Sequence, residues 1–288
     1  MQKLISSIKC KGEELLYEIV VVCRILKRVT LDLYHFVRSQ SQLTKIFGPQ
    51  YKRSYRLIEI DITYRCNLKC INCNRSCTQA PSEDEIDIEQ IEEFINQSIS
   101  RHIKWEQVRL LGGEPTLHSR FFKILRLLLM YKYIHNNDLQ IVVATNGYGD
   151  YVKEVLENIP EEIEIENTSK SSNKPRFFPF NLAPEDSCLY NNVDYSNGCR
   201  ITAKDGIGLT PYGYYHCAVA GSIDRVFNFD IGRKELPSHD DSMIDQLHTF
   251  CRFCGHFRLS LPTKRAKISN SWKIAYKLYD DRRKNDTN

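Results

Sequence analysis

The chain has 288 residues, of which 26% are charged, with a formal net charge of +4 and 11 cysteines. A chain of this length buries a sizeable core, which excludes a small fold stabilised mainly by disulfides. No signal peptide is visible, and Glu18 and Arg24 interrupt the apolar stretch over residues 15–26. We therefore expect a cytoplasmic protein whose clustered cysteines bind metal rather than form disulfides.

Residues 1–56 are predicted to form an N-terminal amphipathic helical extension. Apolar residues recur there at helical spacing, namely Leu15, Ile19, Val22, Leu26, Val29, Leu33 and Val37. We expect this face to pack on the rest of the protein or on a partner, and contact with a membrane surface is the less favoured alternative. Positive charge is concentrated in this extension and in residues 263–288, and solvated helix faces are the favoured interpretation. No nucleic-acid partner is expected. Cys10 and Cys23 fall within the apolar pattern and are predicted to be inert core thiols.

A cysteine-rich loop follows the first predicted strand. Residues 57–63 alternate and are rich in isoleucine, which indicates a strand. Cys66, Cys70 and Cys73 follow at C-x3-C-x2-C spacing. Three thiolates hold three irons of a [4Fe-4S] cluster and leave the fourth iron open, as reactive rather than structural metal sites do. Cys77 leaves an alternative, because four thiolates would close a site for zinc or for an electron-transfer cluster.

Two further predicted strands end in polar and glycine-containing motifs. Residues 108–111 precede Gly112-Gly113-Glu114-Pro115, and residues 139–144 precede Thr145-Asn146-Gly147. Glycines let the backbone approach a ligand closely. The C-terminal ends of parallel strands form the usual site edge of α/β folds, so we expect the Glu114 carboxylate at this edge.

These three motifs make the chain resemble the radical S-adenosylmethionine (radical SAM) superfamily over residues 57–166. The resemblance implies a partial (β/α)6 TIM-like barrel. It implies a [4Fe-4S] cluster on Cys66, Cys70 and Cys73, with S-adenosylmethionine bound to the open iron. Cofactor-binding residues are then Gly112, Gly113, Glu114, Pro115, Thr145 and Asn146, with Gly113 and Glu114 binding the methionyl amine. A ferredoxin- or flavodoxin-type protein would donate the electron that produces a 5′-deoxyadenosyl radical. Asn72 departs from the family pattern, which commonly has an aromatic residue there near the adenine.

Predicted helices between the strands complete an α/β pattern. We expect helices over residues 86–99, 119–133 and 151–158, and a fourth strand over residues 162–166. Ser82 and Glu85 have the spacing of a capping box for the first helix. The second helix is predicted to place Phe122, Leu125, Leu128 and Leu129 on one side. This alternation predicts a parallel sheet with right-handed crossovers. The pattern fades into a long loop over residues 169–186, so the barrel is predicted to be truncated.

A second set of cysteines occupies the last third of the chain. Residues 206–209 and 214–217 flank Pro211-Tyr212-Gly213 and are predicted to form a hairpin. Cys251 and Cys254 form a C-x2-C pair followed by glycine, a common metal knuckle. This arrangement resembles the twitch or SPASM type of C-terminal extension. It implies an auxiliary [4Fe-4S] cluster held by Cys199, Cys217, Cys251 and Cys254. Zinc at the same thiolates is the open alternative, and Cys188 is the spare cysteine.

The predicted organisation is a helical extension over residues 1–56, a radical SAM core over 57–187, a small α+β twitch- or SPASM-like domain over 188–262, and a basic tail over 263–288. The resemblance implies hydrogen abstraction from a small or carbohydrate-like substrate, with oxidation as the outcome. A peptide- or protein-modifying enzyme is the first alternative, and a non-enzymatic iron–sulfur or zinc protein is the second. No catalytic side chain is assigned, and the sequence does not identify the substrate.

Overall fold

The computed structural model describes Cys23 and residues 26–171, 179–259 and 267–286. The predictions for Leu15, Ile19, Val22 and Cys10 lie outside the described residues. A first helix, α1, covers residues 26–38, and α2 (Ser41–Phe47) follows it. The helical prediction for this part of the extension is therefore confirmed.

The predicted apolar face of α1 does not pack on the rest of the described chain. Leu26, Leu33 and Val37 are 60%, 50% and 46% exposed. Cys23 is also exposed, so its prediction as a core thiol is wrong. The extension is attached instead through buried His35, whose ring lies 4.9 Å from that of Phe257 in an edge-on contact. Packing of the apolar face on a partner stays a prediction.

Strands and helices alternate through the middle of the chain. The strands are β1 (Leu57–Thr63), β2 (Gln107–Gly112), β3 (Gln140–Thr145), β4 (Glu164–Asn167), β5 (Ile207–Thr210) and β6 (Gly213–Tyr215). The helices after α2 are α3 (Ile88–Ser100), α4 (Phe121–His135), α5 (Asp150–Glu157), α6 (Arg200–Lys204), α7 (Ala218–Phe227), α8 (Ile244–Phe250) and α9 (Asn270–Asp286). The strands and helices predicted within residues 57–166 are confirmed, with small differences at their ends.

The six strands form one sheet in the order β4-β3-β2-β1-β5-β6. All neighbouring strands run parallel except β6, which is antiparallel to β5. The α/β class with a mainly parallel sheet is therefore confirmed. In the described ranges, β4 and β6 are the two edges, so closure into a barrel stays a prediction.

The predicted hairpin is confirmed, but it joins the main sheet. Ile58 of β1 pairs with Ile207, and Leu209 of β5 pairs with Tyr214 of β6. Strand β5 was predicted as part of the hairpin, but its pairing with β1 was not, because a four-residue strand that contains Gly208 gives little periodic signal. A Cβ at position 208 would lie 2.2 Å from the backbone nitrogen of Ala218. The close packing of β5 against the start of α7 therefore requires glycine at this position. The domain boundary at residue 188 stays a prediction.

Strand alternation sorts the side chains of β1 between two faces. Ile58, Ile60 and Ile62 are buried in the main core with side chains of α3 and α4. Glu59 and Asp61 therefore lie on the opposite face, where both are also buried. The buried side of α4 consists of Phe121, Ile124, Leu125, Leu128 and Tyr131. Phe122 is 44% exposed, so its predicted place on that side is wrong.

Helix α3 begins later than its predicted cap. The N–H of Asp87 donates to the side-chain oxygen of Gln90 at 3.1 Å, as in a capping box. Ser82 lies in the preceding loop, and the Glu85 carboxylate accepts from the N–H of Ser119 at 3.1 Å. The prediction that Ser82 and Glu85 cap this helix is therefore wrong.

The basic segment predicted as a tail forms a docked helix over residues 270–286. Its Trp272, Ala275, Tyr276 and Tyr279 are buried in a second core together with residues of α7. Within the described ranges, none of the helices combines the length and apolar character that crossing a bilayer requires.

Candidate functional site

The cysteine loop begins directly after β1. Cys70 is 7% exposed, and Cys66 and Cys73 are partly exposed. The N–H of Leu68 lies 3.5 Å from the Cys66 sulfur, and the thiols of Cys66 and Cys70 both interact electrostatically with Cys73. The structure therefore brings the three predicted ligands together.

Burial, more than any nearby charge, governs the ionisation of the Cys66 and Cys70 thiols. Burial raises the pKa of Cys66 and of Cys70 to about 12. A hydrogen bond with the buried Cys77 thiol lowers the pKa of Cys73 to about 6 and raises that of Cys77. Thiols that resist ionisation alone ionise when a metal supplies positive charge. The donor set therefore fits a thiolate-bound iron–sulfur cluster.

A single metal ion is a poorer fit to the described residues. Among them, no group of three or more His, Cys, Asp or Glu side chains is arranged to hold one metal ion. A cubane cluster differs because each thiolate binds its own iron, so the sulfur atoms need not converge on one point.

Buried Glu114 joins the second motif to the third. Its carboxylate accepts from the hydroxyls of Thr116 and Thr145, both at 2.8 Å, and from the N–H of Asn146 at 2.8 Å. Burial raises the pKa of Glu114, and these hydrogen bonds oppose the shift. Glu114 also interacts electrostatically with Cys66. The predicted cofactor residues at the ends of β2 and β3 are thus gathered beside the cysteine loop.

The glycines of the second motif pack against the cysteine loop. The N–H of Gly113 donates to the carbonyl of Thr63 at 2.7 Å, and the N–H of Glu114 donates to that of Arg65 at 2.8 Å. A Cβ at Gly113 would lie 2.1 Å from the Arg65 oxygen, and one at Gly112 would lie 2.2 Å from the Thr63 oxygen. The absence of side chains at Gly112 and Gly113 therefore permits close backbone–backbone contact, and their contact with a cofactor stays a prediction.

This close contact predicts the effect of a single methyl group. We expect Gly113→Ala to lower the free energy of unfolding by about 1–3 kcal/mol, as overpacking does. Urea unfolding measures the change, and a free energy of unfolding equal to that of the wild type would contradict a rigid contact at Gly113.

Asn67 connects the cysteine loop to the end of β3, a link that no sequence motif indicated. Its side-chain oxygen accepts from the Asn146 amide at 2.9 Å, and its own amide donates to the carbonyl of Tyr148 at 2.5 Å.

The departure of Asn72 from the aromatic residue of the family pattern also has a structural reason. Asn72 is buried with a φ of +59°, a left-handed conformation that asparagine tolerates better than an aromatic residue does.

A buried charge network anchors the cysteine loop to the face of β1 that carries Glu59 and Asp61. The Arg75 guanidinium lies 3.0 Å from the Glu59 carboxylate and 3.2 Å from that of Asp61. Arg109 of β2 pairs with Glu59 and also with Glu166 of β4. Burial raises the pKa of Asp61 to about 6, although Arg75 opposes the shift. No motif in the sequence assigns Asp61 to the site.

Helix α7 joins this loop to the second cysteine set. The Ser222 hydroxyl donates to the carbonyl of Asn74 at 2.8 Å, and buried Arg225 donates to the carbonyl of Arg75 at 3.1 Å and to that of Ala80 at 2.8 Å. Cys217 directly precedes this helix. The two cysteine sets are therefore held by one helix.

The second set forms a separate site. Cys199, Cys217, Cys251 and Cys254 are all buried and line one small cavity. Cys199 and Cys217 directly precede α6 and α7, and Cys251 directly follows α8. Cys188 is exposed and does not line this cavity.

The four thiols that line this cavity all have raised pKa values. Burial, followed by mutual repulsion, raises the pKa of Cys217 and of Cys251 far above the usual value. Burial likewise raises the pKa of Cys199 and of Cys254. Such thiols ionise together only around a strongly positive centre, so the donor set fits an iron–sulfur cluster, and a single zinc ion is a poorer fit for the same geometric reason as at the first loop.

Two histidines of this site were missed in the sequence. His216 and His256 line the same cavity, and burial lowers the pKa of each to about 3. The His216 ring nitrogen Nε2 lies 3.6 Å from the Cys251 sulfur, whereas that of His256 lies 3.5 Å from the Asn74 amide. The adjacency of His216 to Cys217 in sequence was the available signal.

Part of the chain matches a known protein family. Residues 60–165 match the family model described as the Radical SAM superfamily. A GTP 3′,8-cyclase of Nautilia profundicola is 30% identical over 129 residues, which are 44% of this chain and 38% of that protein. A protein of Methanocaldococcus jannaschii named "Putative glycyl-radical enzyme activating enzyme" is 31% identical over 156 residues, which are 50% of this chain and 54% of that protein. The chain thus spans about half, or less than half, of the length of the curated relatives it matches.

Among solved structures, BtrN in complex with AdoMet and 2-DOIA aligns with 75% of this chain and 98% of its own, with 13% identity and a TM-score of 0.42. anSMEcpe with bound AdoMet and a peptide aligns with 78% of this chain and 95% of its own, with 15% identity and a TM-score of 0.33. Likenesses this distant carry no argument about activity.

Proposed function

We propose, from the radical SAM domain that residues 60–165 form, that the protein is a radical SAM enzyme that oxidises a small polar substrate. Proteins of this family use a [4Fe-4S] cluster and S-adenosylmethionine. The observation that carries the proposal is the joining of the three-thiol loop to buried Glu114 at the ends of parallel strands. When bound and reduced by one electron, these cofactors would supply a radical that abstracts hydrogen from substrate.

Different residues of this chain would bind the cluster and S-adenosylmethionine. Cys66, Cys70 and Cys73 would hold the cluster, and Glu114 would bind the methionyl amine. The Glu114 oxygen Oε1 accepts from the hydroxyls of Thr116 and Thr145. Among the described residues, its oxygen Oε2 accepts only from the N–H of Asn146. A carboxylate oxygen offers about two acceptor positions, so the second oxygen keeps capacity for an amine. An electron carrier without this cofactor would need no such group.

Removal of the Glu114 charge tests this assignment. We expect Glu114→Gln to retain the cluster but to weaken S-adenosylmethionine binding about ten- to a hundredfold, because a charge-assisted hydrogen bond to the amine is lost. Calorimetry on anaerobically reconstituted protein measures the affinity, with the unfolding temperature as a check on folding. Glu85→Gln is the matched control, because its carboxylate accepts from Ser119. Equal affinities of wild type and Glu114→Gln would remove Glu114 from the site.

Oxidation is proposed because of the second cysteine site. Four thiolates from Cys199, Cys217, Cys251 and Cys254 would fill the protein positions of a second [4Fe-4S] cluster, leaving no open iron for substrate. Its remaining use is electron transfer. When bound, such a cluster would supply a one-electron acceptor, which a substrate that has already lost a hydrogen atom needs to complete a two-electron oxidation.

A polar substrate is proposed because of the buried charges on the face of the sheet that carries Glu59 and Asp61. Glu59, Asp61, Arg75 and Arg109 place buried charges beside the cysteine loop. A face of this kind favours hydroxyl-bearing or charged small molecules over apolar ones. The named substrate of the cyclase relative, GTP, is also a small polar molecule.

Peptide or protein modification is the second candidate. It is favoured by the match to the relative named for glycyl-radical enzyme activation, which covers more of this chain than the cyclase match does. Hydrogen abstraction from an added peptide, with no turnover of cyclitols or sugars, would select this candidate.

A further inference from the structure

We infer that His216 donates a hydrogen bond to the Cys251 sulfur and thereby raises the reduction potential of the cluster proposed at the C-terminal cysteines. The inference rests on that proposed cluster. Nothing in the cysteine spacing requires a histidine here, and the ring takes no part in the functions assigned above.

The position of His216 is fixed by two residues of helix α8, Gln246 and Phe250. The His216 backbone N–H donates to the side-chain oxygen of Gln246 at 2.9 Å. Gln246 is fully buried and donates to the carbonyl of Ile231 at 2.9 Å. The Phe250 ring lies nearly parallel to the imidazole, with centroids 6.1 Å apart. Cys251 follows Phe250 directly, so one helix end positions both the imidazole and the sulfur.

The hydrogen-bonding pattern determines which ring nitrogen carries the proton. Nε2 lies 3.6 Å from the Cys251 sulfur, within the range of a hydrogen bond to sulfur. Nδ1 is buried and has no hydrogen-bond partner among the described residues. A proton on Nδ1 would leave a buried donor unsatisfied, whereas a proton on Nε2 satisfies it with the sulfur. The contact is therefore an N–H···S hydrogen bond.

Such a bond favours the reduced form of a cluster. Reduction adds negative charge, which spreads onto the ligand sulfurs and strengthens a hydrogen bond donated to them. Loss of the donor therefore lowers the potential. This direction suits a cluster that accepts an electron from an oxidised substrate, because a higher potential makes that transfer more favourable.

His256 provides the matched control. It is a second histidine that lines the same cavity, partly exposed where His216 is buried, and its Nε2 faces the Asn74 amide rather than a cysteine sulfur. Substitution of His256 by phenylalanine thus removes a ring of the same type from the same cavity without removing a sulfur contact. His216→Gln provides a rescue variant, because an amide N–H reaches a position close to that of Nε2.

The experiment uses the full chain with Cys66, Cys70 and Cys73 all changed to Ala, so that only the C-terminal cluster contributes. Redox titration followed by electron paramagnetic resonance measures its potential in this parent and in His216→Phe, His216→Gln and His256→Phe. We expect a lower potential for His216→Phe, partial recovery for His216→Gln, and a value near that of the parent for His256→Phe.

Other results overturn the inference. Equal potentials for His216→Phe and the parent, or equal shifts for the two phenylalanine variants, would exclude a specific bond from His216. Loss of iron in His216→Phe but not in His256→Phe would make His216 a ligand or an assembly residue instead. If the parent itself binds no iron, the proposed second cluster has failed and the inference fails with it. That case is recognised from the parent alone.

Discussion

Alanine at Cys66, Cys70 or Cys73 will reduce 5′-deoxyadenosine formation from S-adenosylmethionine to background. Each substitution removes the only thiolate proposed for one iron, and a cubane without that ligand is not held in a form that binds the cofactor. The assay is anaerobic reconstitution, reduction with dithionite, and quantification of 5′-deoxyadenosine. Iron and sulfide content are measured on the same samples.

The buried Cys77 supplies the decisive comparison for this prediction. It lies on the same loop and shares a hydrogen bond with Cys73, yet it is assigned no iron. Cys77→Ala should therefore keep most of the activity, as should Cys188→Ala at an exposed position. If Cys77→Ala loses the cluster as completely as Cys70→Ala does, the site is closed by four thiolates and the radical proposal is wrong.

The second large effect concerns the C-terminal cysteines. The full chain with Cys66, Cys70 and Cys73 all changed to Ala should still bind about four irons and four sulfides after reconstitution. The structural reason is that the thiols of Cys199, Cys217, Cys251 and Cys254 line one buried cavity in a part of the fold separate from the first loop.

Further substitutions in that protein define the second ligand set. Addition of Cys217→Ala or Cys254→Ala should remove the iron, whereas Cys188→Ala should retain it. One zinc and no sulfide would make the site structural and would remove the argument for oxidation. A cluster spectrum that changes on addition of substrate would show an open iron and would contradict the four-cysteine assignment.

The site was predictable from the sequence because parallel strands place their C-terminal ends at one edge. The motifs after β1, β2 and β3 are far apart in the chain, yet Glu114 accepts hydrogen bonds from Thr145 and Asn146. Isoleucine alternation in β1 likewise indicated the strand on which the cysteine loop depends.

Other features depend on contacts that local patterns do not encode. Arg75 looks like a solvent-exposed charge in a loop, but Glu59 and Asp61 draw it into the protein. The fifth strand is short and carries Gly208, so its pairing with β1 had no periodic signal. The contact of His216 with Cys251 joins residues 35 positions apart and arises only when α8 packs beside β6.

Reductive cleavage of S-adenosylmethionine by the unmodified protein tests the central claim most directly. Under anaerobic conditions with dithionite, the reconstituted protein should convert S-adenosylmethionine to 5′-deoxyadenosine and methionine in equal amounts, even without its substrate. A protein that holds a reducible cluster at the first loop but leaves S-adenosylmethionine intact would contradict the account.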